Sequence, residues 1–385
     1  MKVFDDFTRV DGSPARHTES HFEFLNRARD AQWQRTRDQI EEYFAIFPSS
    51  GQVDLRARLR SRDDRQHTSA WWELYIFTLF RVSGYEVVIH PRSNDSGNKP
   101  DYLASSGDRR FYVEATVVFE GVILDEEGAD PIRDAWIYDL TNDASNPDYL
   151  VGLSIVKHGS VRPGRRDLVP QLEQWLSSLD YADAYNRLNS SGETFTRIFE
   201  VRDWILEYEA LPTSPEHRGK PGRLLGIHEG EGGNIKVDDA LRKALRRKAK
   251  RYGDLDAPLI LAAMMESSFA GDDDAESALI GPHAVQYVEG IPDSVKWIRE
   301  PDGLWFRSTG PVVRHVPAAI VSTAIRPWAH NSRLPRIWHN PWAHARFDEF
   351  EDFPTGIIGK RGVVTLRDAT IQPSAVFGLD ADWPH

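Results

Sequence analysis

One segment constrains this chain more than any other. Between Thr68 and Val82 almost every position is apolar or aromatic, including Trp71, Trp72, Tyr75, Phe77 and Phe80. A helix that is apolar on all sides has to lie at the centre of a large core. Gly84 follows as its expected C-cap. Inside this run stands a single charge, Glu73, the only one between Ala70 and Phe80. A buried carboxylate is costly unless it is paired or bound to a metal. A capping box would put Glu73 three places after its cap. That makes Ala70 the cap, and Thr68 or Ser69 caps better. Glu73 therefore calls for a partner elsewhere in the fold.

The next elements supply two further carboxylates. Tyr85–Ile89 reads as a strand. After a polar loop, Arg92–Lys99, a short strand runs from Asp101 to Ala104. Phe111–Phe119 (FYVEATVVF) is a strong β run. Glu is depleted in strands, yet Glu114 stands in the middle of this one. Alternation puts Tyr112, Glu114 and Thr116 on one face and Phe111, Val113, Ala115 and Val117 on the other. Asp101 and Glu114 lie on consecutive strands, and a hairpin of that size brings them side by side. Two carboxylates so held repel unless a proton or a cation intervenes. Oxygen-only ligation suits Mg²⁺ or Mn²⁺ and not Zn²⁺.

The order is a helix with Glu73, a strand, then Pro100-Asp101, then Glu114-Ala115-Thr116 on a strand. It resembles the PD-(D/E)XK nuclease superfamily. The resemblance covers Thr68–Val118 and Ile235–Met264, and rests on the ordered combination because no single motif is specific. It implies an α/β (mixed α+β) fold with a restriction-endonuclease-like core, a central mixed sheet flanked by helices. It implies that Asp101 and Glu114 bind the metal, that Glu73 adds a ligand, and that the backbone carbonyl of Ala115 contributes. The chain departs from the motif at Thr116, where the family carries a lysine.

Helix Ile235–Tyr252 offers a substitute. Its apolar stripe is Val237, Leu241, Ala244, Leu245 and Ala249, and Lys248 and Tyr252 continue it. A lysine on a buried stripe needs an acidic partner. RecB-type nucleases carry a Gln and a Tyr four apart on the corresponding helix, so Lys248 with Tyr252 is similar, with Lys in place of Gln. Lys236 and Lys243 are the weaker choices. The expected catalytic set is thus Glu73, Asp101, Glu114, Lys248 and Tyr252.

Composition bounds the rest. The 385 residues suit one large domain with insertions, or two domains. The expected division is a helical segment over 1–65, a core over 66–265 with a large insertion at about 120–233, and a Trp/Pro-rich, β-containing region over 266–385. There is no Cys, which excludes disulfides, thiolate zinc sites and cysteine nucleophiles. No apolar run approaches the ~20 residues that span a bilayer, and Met1–Arg16 has no signal-peptide core. A cytoplasmic protein without a membrane partner is expected.

The net charge of −12 argues against a nucleic-acid partner, but the charge is unevenly spread. Seven of the eleven residues from Leu241 to Arg251 are basic. Arg242, Arg246, Arg247, Lys250 and Arg251 are the expected phosphate contacts. A second basic stretch includes Arg56, Arg58, Arg60, Arg62 and Arg65, and reads equally well as a solvated helix face.

Elsewhere, Glu19–Ile46 reads as one helix stopped at Pro48–Gly51, with a short basic helix over Val53–Arg62. Arg197–Tyr208 reads as one strand and Gly271–Glu276 as an acidic loop. His339 and His344 lack a third ligand at a sensible spacing, and Glu229–Gly233 is too acidic for a phosphate loop. The function implied is Mg²⁺- or Mn²⁺-dependent cleavage of nucleic acid, DNA before RNA, in prokaryotic defence or repair. A homodimer or partner subunit is compatible with it. Two rivals are a catalytically inactive version of the fold that binds nucleic acid or a partner, and a paired-carboxylate hydrolase acting on sugars.

Overall fold

The computed structural model describes residues 1–16, 19–92, 98–119, 137, 140–141, 143–191, 193–215, 218–219, 224, 237–267, 270–288, 291–359, 363–380 and 382–384, with the backbone alone for 191 and 285–297. The Glu229–Gly233 run, Ile235 and Lys236 lie outside them. In chain order the elements are α1 His21–Arg27, α2 Ala31–Ile46, α3 Ser49–Leu59, α4 Asp64–Val82, β1 Glu86–Ile89, β2 Tyr102–Ser106 and β3 Arg109–Phe119. Then come β4 Tyr149–Lys157, α5 Arg165–Ser178, α6 Tyr181–Ser191, β5 Phe195–Val201 and β6 Trp204–Pro212. The third group is α7 Val237–Ala249, β7 Leu259–Glu266, α8 Asp272–Ile280, β8 His283–Val288, β9 Ile291–Arg299, β10 Phe306–Arg307 and β11 Gly310–Pro311. The last is β12 Ala318–Thr323, β13 Arg336–His339, β14 Thr355–Ile358, β15 Val364–Arg367 and α9 Pro373–Phe377.

The chain forms two compact units. One takes Met1–Ala15, Glu19–Val122 and Ile235–His385, the other Arg16–Thr18 and Ile123–Asn234. The first is built on an eight-stranded mixed sheet in the order β1-β2-β3-β7-β12-β13-β14-β15. β1, β2 and β3 form an antiparallel meander, and β3 pairs parallel with β7, which pairs parallel with β12. Residues 1–15, 19–65 and 266–385, expected as additions to a core, belong to this same unit. The C-terminal strands extend its sheet.

Alternation along the strands makes two cores. On β7, Ile260, Ala262 and Met264 face a layer built around α4 with Leu55 and Leu59 of α3 and Ile40 and Phe44 of α2. Leu259, Leu261, Ala263 and Met265 face α7 and α8. A sheet covered on both faces needs continuous apolar strands, and β7 is buried at every position but its last. Helix α4 is the centre of the first layer: every residue from Ala70 to Phe80 is buried.

Several boundaries differ from the sequence reading. The long N-terminal helix is broken after Arg27, where Ala28 takes an extended conformation before α2 starts. The helix does end at Ile46, before Pro48, but the next one, α3, begins at Ser49 rather than at Val53, with Pro48 in the cap position. Helix α4 starts at Asp64, with Asp63 as its cap accepting from the Arg65 amide. Thr68 and Ser69 are therefore interior, and Glu73 is remote from any cap. The acidic segment Gly271–Glu276 is no loop. It opens α8, where Asp274 accepts a hydrogen bond from the Gly271 amide at 2.8 Å and the acidic first turn favours the helix dipole.

The second unit holds a three-stranded antiparallel sheet, β4-β6-β5. Its core includes Leu168, Leu172, Trp204, Leu206 and Tyr208. The single strand expected over Arg197–Tyr208 is two, β5 and β6, joined by a tight turn in which Arg202 has φ +59°.

Candidate active site

The site forms where β2 runs out and β3 continues. The β2–β3 ladder ends at Tyr102↔Val113, whereas β3 stays paired with β7 as far as Phe119. Side chains replace the missing rungs. The Ala115 amide donates to Asp101 Oδ2 at 2.8 Å, and the Asp101 amide donates to Glu114 Oε2 at 3.2 Å. Each carboxylate is thus fixed by the backbone beside the other, which sets their separation rigidly.

Glu73 approaches from α4. The Tyr102 hydroxyl donates to the Glu73 carbonyl at 2.9 Å, and Trp72 Nε1 donates to the Ala262 carbonyl at 3.1 Å. These two bonds pin the helix to β2 and β7 around Glu73. The Glu73 carboxylate itself accepts from Arg58 Nη1 of α3 at 2.6 Å. Burial opposes the charge on Arg58, but the bond and attraction to Glu73 outweigh it and hold the guanidinium firmly protonated.

Lys248 approaches from α7, on the other face of the sheet. Its Nζ donates to Glu114 Oε1 at 2.5 Å, with the Lys248 side chain 16% exposed and the Glu114 side chain 1%. Arg251 lies 3.7 Å from the same oxygen. The Tyr252 ring is buried just beyond α7. Its hydroxyl makes no hydrogen bond of good geometry, while burial and then the adjacent Glu114 carboxylate keep it protonated. Its hydroxyl lies near Glu114, and no hydrogen bond joins it to Lys248 among the described residues.

Arg58, Glu73, Asp101, Ala115 and Lys248 line a cavity of about 250 Å³ together with Ser69, Thr116 and Val117, and Glu114 is not part of its lining. Asp101 is the critical group in it. Burial, then Glu114 and Glu73, push its carboxyl up to about 7, against the pull of Lys248 and the Ala115 amide. Glu73 has Arg58 and Glu114 has Lys248, but no side-chain cation pairs with Asp101 among the described residues. Asp101 therefore holds its proton to well above the usual carboxylate range instead of pairing with a side-chain cation.

Among the described residues no group of three or more His, Asp or Glu side chains is placed to hold a metal ion. Ion pairing draws two of the carboxylates towards Arg58 and Lys248. The donor set is all oxygen, the kind a hard divalent cation takes, and Glu73, Asp101 and Ala115 line one cavity in which Asp101 has no side-chain cation among the described residues. Asp101, Glu114, Glu73 and the Ala115 backbone are the groups that would hold it.

The structure thus brings Glu73, Asp101, Glu114, Ala115 and Lys248 together. It does not bring together all the expected phosphate contacts. Arg247, Lys250 and Arg251 are exposed, but Arg242 is buried and paired with Asp239 and, at 3.3 Å, Asp302. Arg246 is engaged by Asp302 at 2.7 Å and by the Gly303 carbonyl. Both fasten α7 to the segment after β9. Arg58 is a site residue that sequence reasoning misses, because it belongs to an evenly basic stretch in which no pattern singles out one side chain. Comparison with protein-family models, with curated proteins and with solved structures finds no match, and no helix among the described residues is long and apolar enough to cross a membrane.

Proposed function

We propose that this chain is a metal-dependent phosphodiesterase of the PD-(D/E)XK type that cleaves DNA, with its motif lysine displaced to Lys248. The observation that carries the reading is the Lys248 ammonium on the Glu114 carboxylate, with Lys248 lining the same cavity as Thr116. An ammonium delivered there from α7 can do the work of the lysine that Thr116 replaces. The order α4, β1–β3, α7, β7, with β3 and β7 parallel, supports it further, since this is the core arrangement the resemblance implies.

A bound Mg²⁺ or Mn²⁺ would supply Lewis acidity and lower the pKa of a water molecule. The protein's own groups do the rest. Asp101 and Glu114, each positioned by a backbone hydrogen bond beside the other, would present oxygen ligands once Asp101 gives up its proton and Lys248 turns from Glu114. Lys248 neutralises negative charge that develops on the phosphoryl oxygens and orients the attacking water. Arg247, Lys250 and Arg251 meet neighbouring phosphates. Tyr252 offers a protonated hydroxyl beside Glu114. A role in defence or repair is what the same resemblance implies, and a homodimer or partner subunit is compatible with it.

One observation favours a second reading, a binding protein with a retired site: Arg58 and Lys248 already neutralise two of the three carboxylates. Calorimetry with Mn²⁺ separates the two. The nuclease reading expects saturable binding that Glu114→Ala abolishes and metal-dependent cutting that EDTA stops. A retired site binds no Mn²⁺.

A further inference from the structure

Two cations serve three carboxylates here, and they reach the cavity from opposite faces of the sheet. Lys248 is accounted for by the reading above. Arg58 is not. It lines the same cavity and is 28% exposed. Its Nε donates to Asp54 Oδ2 at 2.9 Å and its Nη1 to Glu73 Oε2 at 2.6 Å. Its Nη2 makes no hydrogen bond among the described residues. A guanidinium offers five N–H donors in a fixed fork that matches a phosphate in two-pronged fashion, and this one uses two of its three nitrogens on carboxylates. Leu55 and Leu59 on either side of it are fully buried, so α3 is anchored independently of the Arg58 side chain.

We propose that Arg58 is a phosphate-binding residue of the site, parked on Glu73 until a divalent cation takes that carboxylate, and then turned to the substrate phosphate. The proposal rests on the phosphodiesterase reading. Glu73 accepts either the guanidinium or the metal strongly, not both at full strength, because each needs the same oxygens. Arg58 and the metal therefore compete in the free protein and cooperate once substrate is bound. Asp54 keeps hold of Nε and acts as the pivot. The arrangement delays tight metal binding until a phosphate is present to receive the displaced cation, which limits unproductive loading.

Competition and catalysis move in opposite directions, and that makes the test decisive. Mn²⁺ binding is measured by calorimetry without nucleic acid, and cleavage of a DNA substrate is measured separately, for wild type, Arg58→Ala and Arg58→Lys. Arg58→Ala is expected to bind Mn²⁺ several-fold more tightly, because Glu73 loses its competitor. It is expected to cleave about 10²- to 10³-fold more slowly, the usual loss when one positioned donor is removed from a transition state. Arg58→Lys restores part of the cleavage, and it also reports on folding should the alanine variant be unstable. If Arg58→Ala binds Mn²⁺ more weakly and cleaves more slowly, Arg58 merely holds Glu73 in place and the proposal fails. Unchanged cleavage overturns it as well. If neither wild type nor variant binds Mn²⁺, the phosphodiesterase reading falls, and this proposal with it.

Discussion

Lys248 and Glu114 are 134 residues apart in the chain and 2.5 Å apart in space, joined across the α7 face of the sheet. The bond couples the two halves of the candidate site. Removing the ammonium leaves a carboxylate that is 1% exposed with Arg251 as its nearest cation, at 3.7 Å. Lys248→Ala should therefore cost about 1–3 kcal/mol of stability. Neutralising the partner as well, in Lys248→Ala with Glu114→Gln, should recover much of that loss. Chemical denaturation of the two single variants and the double variant measures it. Simple additivity of the two single losses would show that the pair is not coupled.

Asp101 makes the site sensitive to pH. Its carboxyl titrates at about 7 in the fold, against 3.8 when unperturbed. Between those values the native state binds more protons than the unfolded state, so stability falls as pH rises through that window and levels off above it. Asp101→Asn should be nearly neutral at pH 5 and stabilising at pH 8, by ~2–4 °C of melting temperature for each kcal/mol relieved. Metal must displace the same proton, so Mn²⁺ affinity of the wild type should climb as pH rises to about 7 and then flatten. Melting curves and titrations at pH 5, 7 and 8 check both signs.

Tyr102→Phe isolates positioning from chemistry. The hydroxyl holds the backbone carbonyl of Glu73 at 2.9 Å and touches no reacting atom. Its loss should lower stability by about 1 kcal/mol and weaken Mn²⁺ binding severalfold by loosening Glu73. Calorimetry shows whether the metal affinity moves with it.

The basic residues of α7 and its C-terminal end divide into two sets with different behaviour. Charge removal at Arg247 and Lys250 should weaken DNA binding and reduce the salt slope of log K by about 0.9 for each phosphate that is no longer neutralised. Arg242→Ala should instead destabilise the fold and leave that slope unchanged, because Arg242 is buried on Asp239 and Asp302. Binding titrations across a range of salt concentrations compare them.

The legible parts of this chain are those with strong local pattern. Helix α4 is visible because it is apolar all round, and β3 because FYVEATVVF has β-branched and aromatic residues throughout. Asp101 and Glu114 can be paired because one short hairpin joins them. Lys248 can be chosen because it extends an apolar stripe. What escapes is non-local or weakly marked. The turn at Arg202-Asp203 has no glycine, so β5 and β6 read as one strand. The break at Ala28 carries neither Gly nor Pro. Arg58 repeats the chemistry of Arg56 and Arg60, and only the packing of α3 on α4 turns it towards Glu73. The extension of the sheet by β12–β15 depends on long-range pairing, which leaves no periodic trace.

Cleavage of a mixed set of nucleic acids with Mg²⁺, Mn²⁺ or EDTA, using wild type beside Glu114→Ala and Lys248→Ala, tests the central claim most directly. The wild type should cut DNA in a metal-dependent way. That cutting should be abolished by EDTA and by Glu114→Ala, and reduced by about 10²-fold or more in Lys248→Ala. Cutting that persists in EDTA, or that survives Glu114→Ala, would contradict the assignment.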